Sequence, residues 1–382
     1  MLPEQYQWIA VEFEPDGDPR QLFHIATKLE AEGNLPGAAT VYDRAYGLDP
    51  TATDVREGRQ RVLDRLAVVE HALVFRYIPG GVFLMGTDTG EADERPRRPV
   101  WLSPYWLSET PVSWAACCRL MDWEPPPAGF PRNYEGPPTG EFDHWAAGVY
   151  NENKLRLQYC EDKTTRARDW HAHHPSQTWQ RGDQIETSQE LFGMPEREEP
   201  EAAWQYDTKP MVAVPWQAVL ELAGRLSTGS VRYGLPTEAQ WERAARGGLI
   251  GARHAWGNDR PTPERCDFDR FHTFAILPSK TFPPNGYGLY AMNGGVWEWT
   301  RDWYDRDHYG QADEKDPEGP AEGKEKVLRG GSWADCAEVQ TVSFRMARGS
   351  CAWGEEGRAG HGAPNIGFRL CRTVVGAPAS AG

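Results

Sequence analysis

Apolar positions recur at helical spacing through residues 20–72, in LFHIATKLEAEGNLPGAATVYDRAYGLDP and then VREGRQRVLDRLAVVEHAL. Spacings of three and four place such residues on one helix face, and Gly33 and Pro50 divide the run into successive helices. Gly33, Ala38, Tyr42, Ala45 and Pro50 fall near the positions of one tetratricopeptide-like unit, too short to stack as a solenoid. The pattern predicts a helical segment over 1–74 that either caps the following domain or docks a protein partner.

From about residue 75 the pattern shortens to β-like runs, FRYIPGGVFLMG and RPVWLSPYWLS, separated by Gly and Pro turns. Two helices interrupt them. VPWQAVLELAGRLSTG carries apolar residues at 216, 219, 220, 222, 223 and 226, a stripe that needs a sheet to cover it. In LPTEAQWERAARGG, Thr237 is the N-cap and Gln240 closes a capping box. Glu238 suits the positive end of the dipole, and Gly247 supplies a left-handed stop. Residues 124–208 show little periodicity and are too long for a simple connection. Tyr134, Trp145, Tyr150, Tyr159, Trp170 and Trp179 favour an ordered, functional insertion there, because disordered segments are aromatic-poor. Residues 374–382 read as a flexible tail.

Composition narrows the function classes. A net charge of −15 argues against a lysine- and arginine-lined phosphate track and against an anionic membrane surface, so neither nucleic acid nor membrane is expected as a partner. No uninterrupted apolar run reaches the roughly 18 residues that a membrane helix needs. The first residues lack the basic-then-apolar pattern of a secretory signal. The seven cysteines, at 117, 118, 160, 266, 336, 351 and 371, are odd in number and scattered, which suits reduced thiols and a cytoplasmic protein.

Eight blocks in order carry a family resemblance: IPGGVFLMGTD at 78–88, ERPRRPVWLSPYWLSETPVSW at 94–114, KPMVAVPWQ at 209–217, LPTEAQWERAARGG at 235–248, AWGND at 255–259, NGYGLYAMNGGVWEWTRDWY at 285–304, VLRGGSW at 327–333 and NIGFRLCR at 365–372. Together they resemble the formylglycine-generating enzyme, or sulfatase-modifying-factor, family, whose relatives include the sulfoxide synthases of ergothioneine biosynthesis. The resemblance implies an α+β, C-type-lectin-like fold with much irregular structure over residues 75–373, with the helical segment and the insertion outside the matched blocks.

It also sets expectations for chemistry. The family's oxidising members hold Cu(I) with two cysteines, at the sixth and eleventh positions counted from the first glycine of the double-glycine motif. Here those positions are Asp335 and Gln340, and Cys336 stands one residue late. A one-residue shift in an extended segment turns a side chain to the opposite face. Ser332, Cys336 and Cys351 are therefore only candidate catalytic residues, and the formylglycine reaction is not expected. The three-histidine iron site of the sulfoxide synthases has no counterpart in the N-terminal helices, which offer His24 and His71 alone. Within the insertion, His171 and His173 could share a transition metal with His144 or Asp169.

NGGVWEW matches a family calcium motif, with Asn293, Gly294, Val296 and Glu298 as oxygen donors; the alternative is a turn tied by Asn293, with Glu298 paired to an arginine. Asp267 and Asp269 form a second, weaker calcium pair. Ligand contacts are expected from Trp299, Ser332, Trp333, Asp335, Cys336, Gln340, Arg345 and Trp353, although Trp299 could equally be core and Arg345 a buried ion-pair partner. Two functions follow. One is a lectin-like recognition module for a protein, peptide or small molecule, in one version diversified by a retroelement; the other is an iron- or copper-dependent oxidoreductase with rearranged ligands.

Overall fold

The structure is a computed structural model and describes residues 17–120, 208–212, 214, 216–270, 276–310, 313–333, 335–349 and 365–375. Three helices come first: α1 (Pro19–Ala31), α2 (Leu35–Leu48) and α3 (Thr53–Leu66). Asp18 and Asn34 cap α1 and α2 by accepting from the amides of Arg20 and Gly37. Ala38, Tyr42 and Ala45 are fully buried between the helices, and a Cβ on Gly58 would come within 2.7 Å of the Tyr42 ring. Glycine is what lets α3 approach so closely.

The predicted helical run is too long by its last residues. Val68–Glu70 form β1, and His71 and Ala72 turn the chain at φ 53° and 57° into β2 (Leu73–Ile78). The sheet thus begins before residue 75. It runs β1-β2-β5-β11-β6, all antiparallel, with β5 at Tyr105–Ser108, β6 at Val231–Gly234 and β11 at Cys371–Val374. A hairpin pairs β3 (Gly81–Met85) with β4 (Arg98–Leu102). A second sheet runs β10-β7-β8-β9: β7 is Trp297–Trp303, β8 Glu325–Arg329, β9 Met346–Gly349, and β10 (Ile366–Gly367) lies parallel to β7.

Two core clusters fill the space between these elements. Trp297, Trp299, Trp333 and Phe368 belong to one, with α5 (Trp216–Leu226) supplying Val219, Leu222 and Ala223. The other joins Tyr42 and Val62 of the N-terminal helices to Tyr105, Trp241 and Tyr287, so the helical unit and the domain share a core. α6 (Glu238–Arg246) forms as its sequence predicts: Thr237 and Gln240 complete the capping box, and Gly247 ends the helix at φ 61°. The short α4 (Trp114–Leu120) precedes the insertion.

Arg59 of α3 fastens the helices to the domain. Its guanidinium is 2% exposed, lies between the Tyr46 and Tyr287 rings, and donates to Asp43 and to the carbonyls of Gly247 and Gly286. Asp43 in turn accepts from Tyr287 Oη at 2.8 Å.

Candidate functional site

The chain leaves β8 through Gly330 and Gly331, at φ 106° and 73°. A Cβ on Gly331 would sit 2.4 Å from Gln340 Oε1, so only glycine admits the side chain that folds back over it. Ser332 follows and is the hub. Asp335 Oδ2 accepts from Ser332 N at 3.0 Å and from Ser332 Oγ. Asn365 Nδ2 donates to Ser332 Oγ at 3.1 Å, and Gln340 Nε2 donates to the Ser332 carbonyl at 3.2 Å. Ser332, Asp335 and Gln340 are all fully buried.

The backbone after this knot is gripped from outside the loop. Arg329 donates to the carbonyls of Val342, Ser343 and Phe344 at 2.7, 2.5 and 3.0 Å. His254 Nδ1 donates to the Gln340 carbonyl at 2.5 Å, and Val342 N donates to Arg253 O at 3.0 Å. Burial holds the His254 ring below the usual imidazole range. A 3-10 turn, Ala337–Val339, buries Val339 and turns Glu338 to solvent. Cys336 is half-buried at its start. Burial pushes its thiol up, and the hydrogen bond with Glu338 pushes it further, so this sulfur is held as the thiol.

Several expected contacts turn out to be interior. Trp299 is fully buried with Nε1 donating to Val214 O at 3.0 Å, and Trp333 lies in the same core cluster. Arg345 is the buried ion-pair partner of Glu238, at 2.6 and 2.9 Å, and also donates to the carbonyls of Asp93 and Asp305. Cys351 and Trp353, like His144, Asp169, His171 and His173, lie outside the described residues.

The calcium expectation at NGGVWEW does not fit the geometry. Both Glu298 oxygens are taken by Arg369 Nε, at 2.8 and 2.9 Å, and Trp241 Nε1 donates to one of them at 2.8 Å. A cation placed there would compete with a buried guanidinium. Asn293 Oδ1 is likewise occupied, accepting from Ala255 N at 2.8 Å. This is the alternative arrangement, a tied turn with an ion pair. Asp267 is buried and accepts from Leu277 N, whereas Asp269 is exposed at φ 51°. Among the described residues, no three His, Cys, Asp or Glu side chains gather where they could hold a metal.

Asn365, His254 and Arg329 were not singled out by the sequence, although each lies in or beside a quoted block. Their spacing from Ser332 and Gln340 hides the contacts, since only the fold brings residues 254, 329 and 365 to one loop.

The sulfatase-modifying factor enzyme 1-like domain matches residues 69–374. The chain belongs to that family. It is 30% identical over 312 residues to the formylglycine-generating enzyme of Streptomyces coelicolor, covering 76% of this chain and 87% of that protein. It is 31% identical over 321 residues to the inactive C-alpha-formylglycine-generating enzyme 2 of Mus musculus, covering 79% and 86%. Among solved structures, Treponema denticola variable protein 1 shares the fold at a TM-score of 0.50 and 19% identity, over 80% of this chain and 97% of that one. The architecture is therefore the α+β, C-type-lectin-like fold of the family, preceded by helices. Among the described residues no helix is long and apolar enough to cross a membrane.

Proposed function

We propose that this member of the sulfatase-modifying factor family is a recognition module for a protein, peptide or small-molecule ligand. One observation carries the reading: at the two positions where oxidising members place their thiolates stand a carboxylate and an amide, both fully buried and both bound to Ser332. Hard oxygen and neutral amide groups are poor ligands for Cu(I), which prefers thiolate. Cys336 is a single thiol where the oxidising members use two, and it stands one residue out of register. The loop instead has a backbone held by Arg329 and His254 and a turn, Cys336–Glu338, whose side chains are partly or fully open to solvent. Such a loop keeps its shape when its outward residues vary, which is what a contact surface requires.

The existence of a relative whose name marks it inactive supports loss of the oxidase chemistry, and the fold shared with a variable protein supports a binding use. The scattered cysteines suit a cytoplasmic setting. In the version diversified by a retroelement, the gene has nearby a near-identical template carrying asparagine codons at positions such as 335–337; a genome lacking that template removes this version and leaves the module.

The deciding experiment is elemental analysis of the full chain purified without chelator and reloaded anaerobically with Cu(I) or Fe(II), with oxygen uptake followed in the presence of thiol. We expect neither metal at stoichiometry and no uptake. Stoichiometric copper or iron that is lost on Cys336→Ala or His171→Ala overturns the reading in favour of an oxidoreductase with rearranged ligands.

A further inference from the structure

The head of α6 carries more negative charge than its neighbours neutralise symmetrically. Asp302 of β7, 4% exposed, accepts from Glu238 N at 2.7 Å, the first amide of the helix. Glu238, itself buried, serves Arg345 with both oxygens, accepts from Tyr309 Oη at 3.3 Å, and lies 3.5 Å from Arg329. Two carboxylates thus meet one helix N-terminus. The dipole favours both, but at close range they repel each other.

Among the described residues, none gives Asp302 a dedicated cation. The charged groups that act on it are Glu238 from α6, Arg301 from its own strand, and Arg345 from the segment before β9; Lys326 of β8 is within electrostatic reach. Arg345 is committed to Glu238, and Arg301 pairs with Glu318 at 2.6 Å. Lys326 Nζ donates to Arg301 O at 2.9 Å and sits 3.4 and 4.0 Å from the ring centres of Trp303 and Trp216. The loop at Gly319 lies flush on Asp302, since a Cβ there would come within 2.8 Å of Asp302 Cβ.

We propose that Asp302 is a proton-operated latch on the head of α6. Neutral, it leaves Glu238 free to hold Arg345, which ties α6 to the carbonyls of Asp93 and Asp305 and to the start of β9. Ionised, it places a second buried charge beside Glu238 and loosens that junction. Burial and the Glu238 charge push the Asp302 carboxyl up to about 7, so the change falls near neutrality. An acid raised in the folded state stabilises fully below its unfolded value of 3.8 and loses that contribution as pH rises through about 7. The folding equilibrium should therefore weaken about ten-fold between pH 6 and pH 8 on account of this group. The inference does not depend on what the recognition surface binds.

The test is denaturant unfolding of the full chain at pH 6, 7 and 8, for wild type and Asp302→Asn, whose amide oxygen can still accept from Glu238 N. Comparing the two cancels titrations not coupled to Asp302, among them His308, whose ring is held low by burial, and Asp267, pushed up to about 6. Lys326, held down to about 8 by burial and coupled to Asp302, is removed from the window by repeating the comparison in a Lys326→Arg background. We expect the wild type to lose about ten-fold more than the variant over that range. We also expect the amides of 238–241 to exchange faster above pH 7, beyond the intrinsic rate, in wild type only. Should the variant not fold, the carbon-13 carboxyl signal of Asp302 in wild type decides alone: a midpoint near 7 supports the latch. Parallel pH curves, or an Asp302 carboxyl already ionised at pH 5, overturn it.

Discussion

At position 335 a side chain has to answer two donors, the Ser332 amide and hydroxyl, in a place no water reaches. Asp335→Ala removes the acceptor for both. Leaving buried donors unpaired costs about 1–3 kcal/mol, so we expect a drop of that size in unfolding free energy, measured by urea titration. Cys336→Ser, one residue on, removes only a half-buried thiol and should change stability by less than about 1 kcal/mol. The contrast was half legible. Counting from Gly330 showed that the thiolate positions were lost, and alternation put residues 335 and 336 on opposite faces. That the inward residue would be wholly interior was not legible, because Asn365 and Gln340, which close over its partner Ser332, arrive through the fold. Trp299 and Arg345 misled for a related reason. A tryptophan or arginine in a site motif serves equally as scaffold, and only its partners, Val214 and Glu238, distinguish the two.

Among the elements, α6 was readable because its signals are local. Thr237, Gln240 and Gly247 act within one turn of their own helix end, and each is found doing so. Thr237→Ala should cost about 1 kcal/mol through the lost cap. Gly247→Ala should cost more than the usual glycine-to-alanine change, since φ is 61° and the new Cβ would meet Gly286 N at 2.8 Å. Thermal unfolding of the two variants gives the order. The buried pairs that α6 makes were not readable at all. Glu242 meets Arg329, and Glu238 meets Arg345, across 87 and 107 residues of chain. No pattern of charge along the sequence announces such a pair, and each carboxylate reads locally as an ordinary dipole or i,i+4 group. The last predicted turns of the N-terminal run failed for the opposite reason. VVEHAL has a helix-compatible composition, but Val68, Val69 and Glu70 pair with β2, and tertiary pairing outweighs weak propensity.

For the molecule as a whole, the helices raise a question that truncation cannot answer. Removing residues 1–66 strips Arg59 from the carbonyls of Gly247 and Gly286, Asp43 from Tyr287, and the Leu66 carbonyl from Trp106 Nε1. It also opens the core cluster that contains Tyr42 and Val62. A shortened chain that fails to bind a partner would thus fail through lost stability as readily as through a lost surface. Arg59→Ala, which leaves the largely buried Asp43 with Arg243 and the Tyr287 hydroxyl, should by itself cost about 3–5 kcal/mol. A docking role must be tested on the outer face of α1, where Ile25 is 50% exposed and Lys28 reaches solvent. Ile25→Asp with Lys28→Glu touches no described core contact and should leave the unfolding midpoint within the range of ordinary surface changes. If the helices are an adaptor, that pair of substitutions removes binding of a purified partner while Asp335→Ala and Cys336→Ser leave it unchanged in protein that remains folded. If they are a brace, binding responds to substitutions in the turn at 336–338 and ignores α1. The shared core and the buried Arg59 favour the brace, because a surface kept for a mobile partner would not need a guanidinium spent inside.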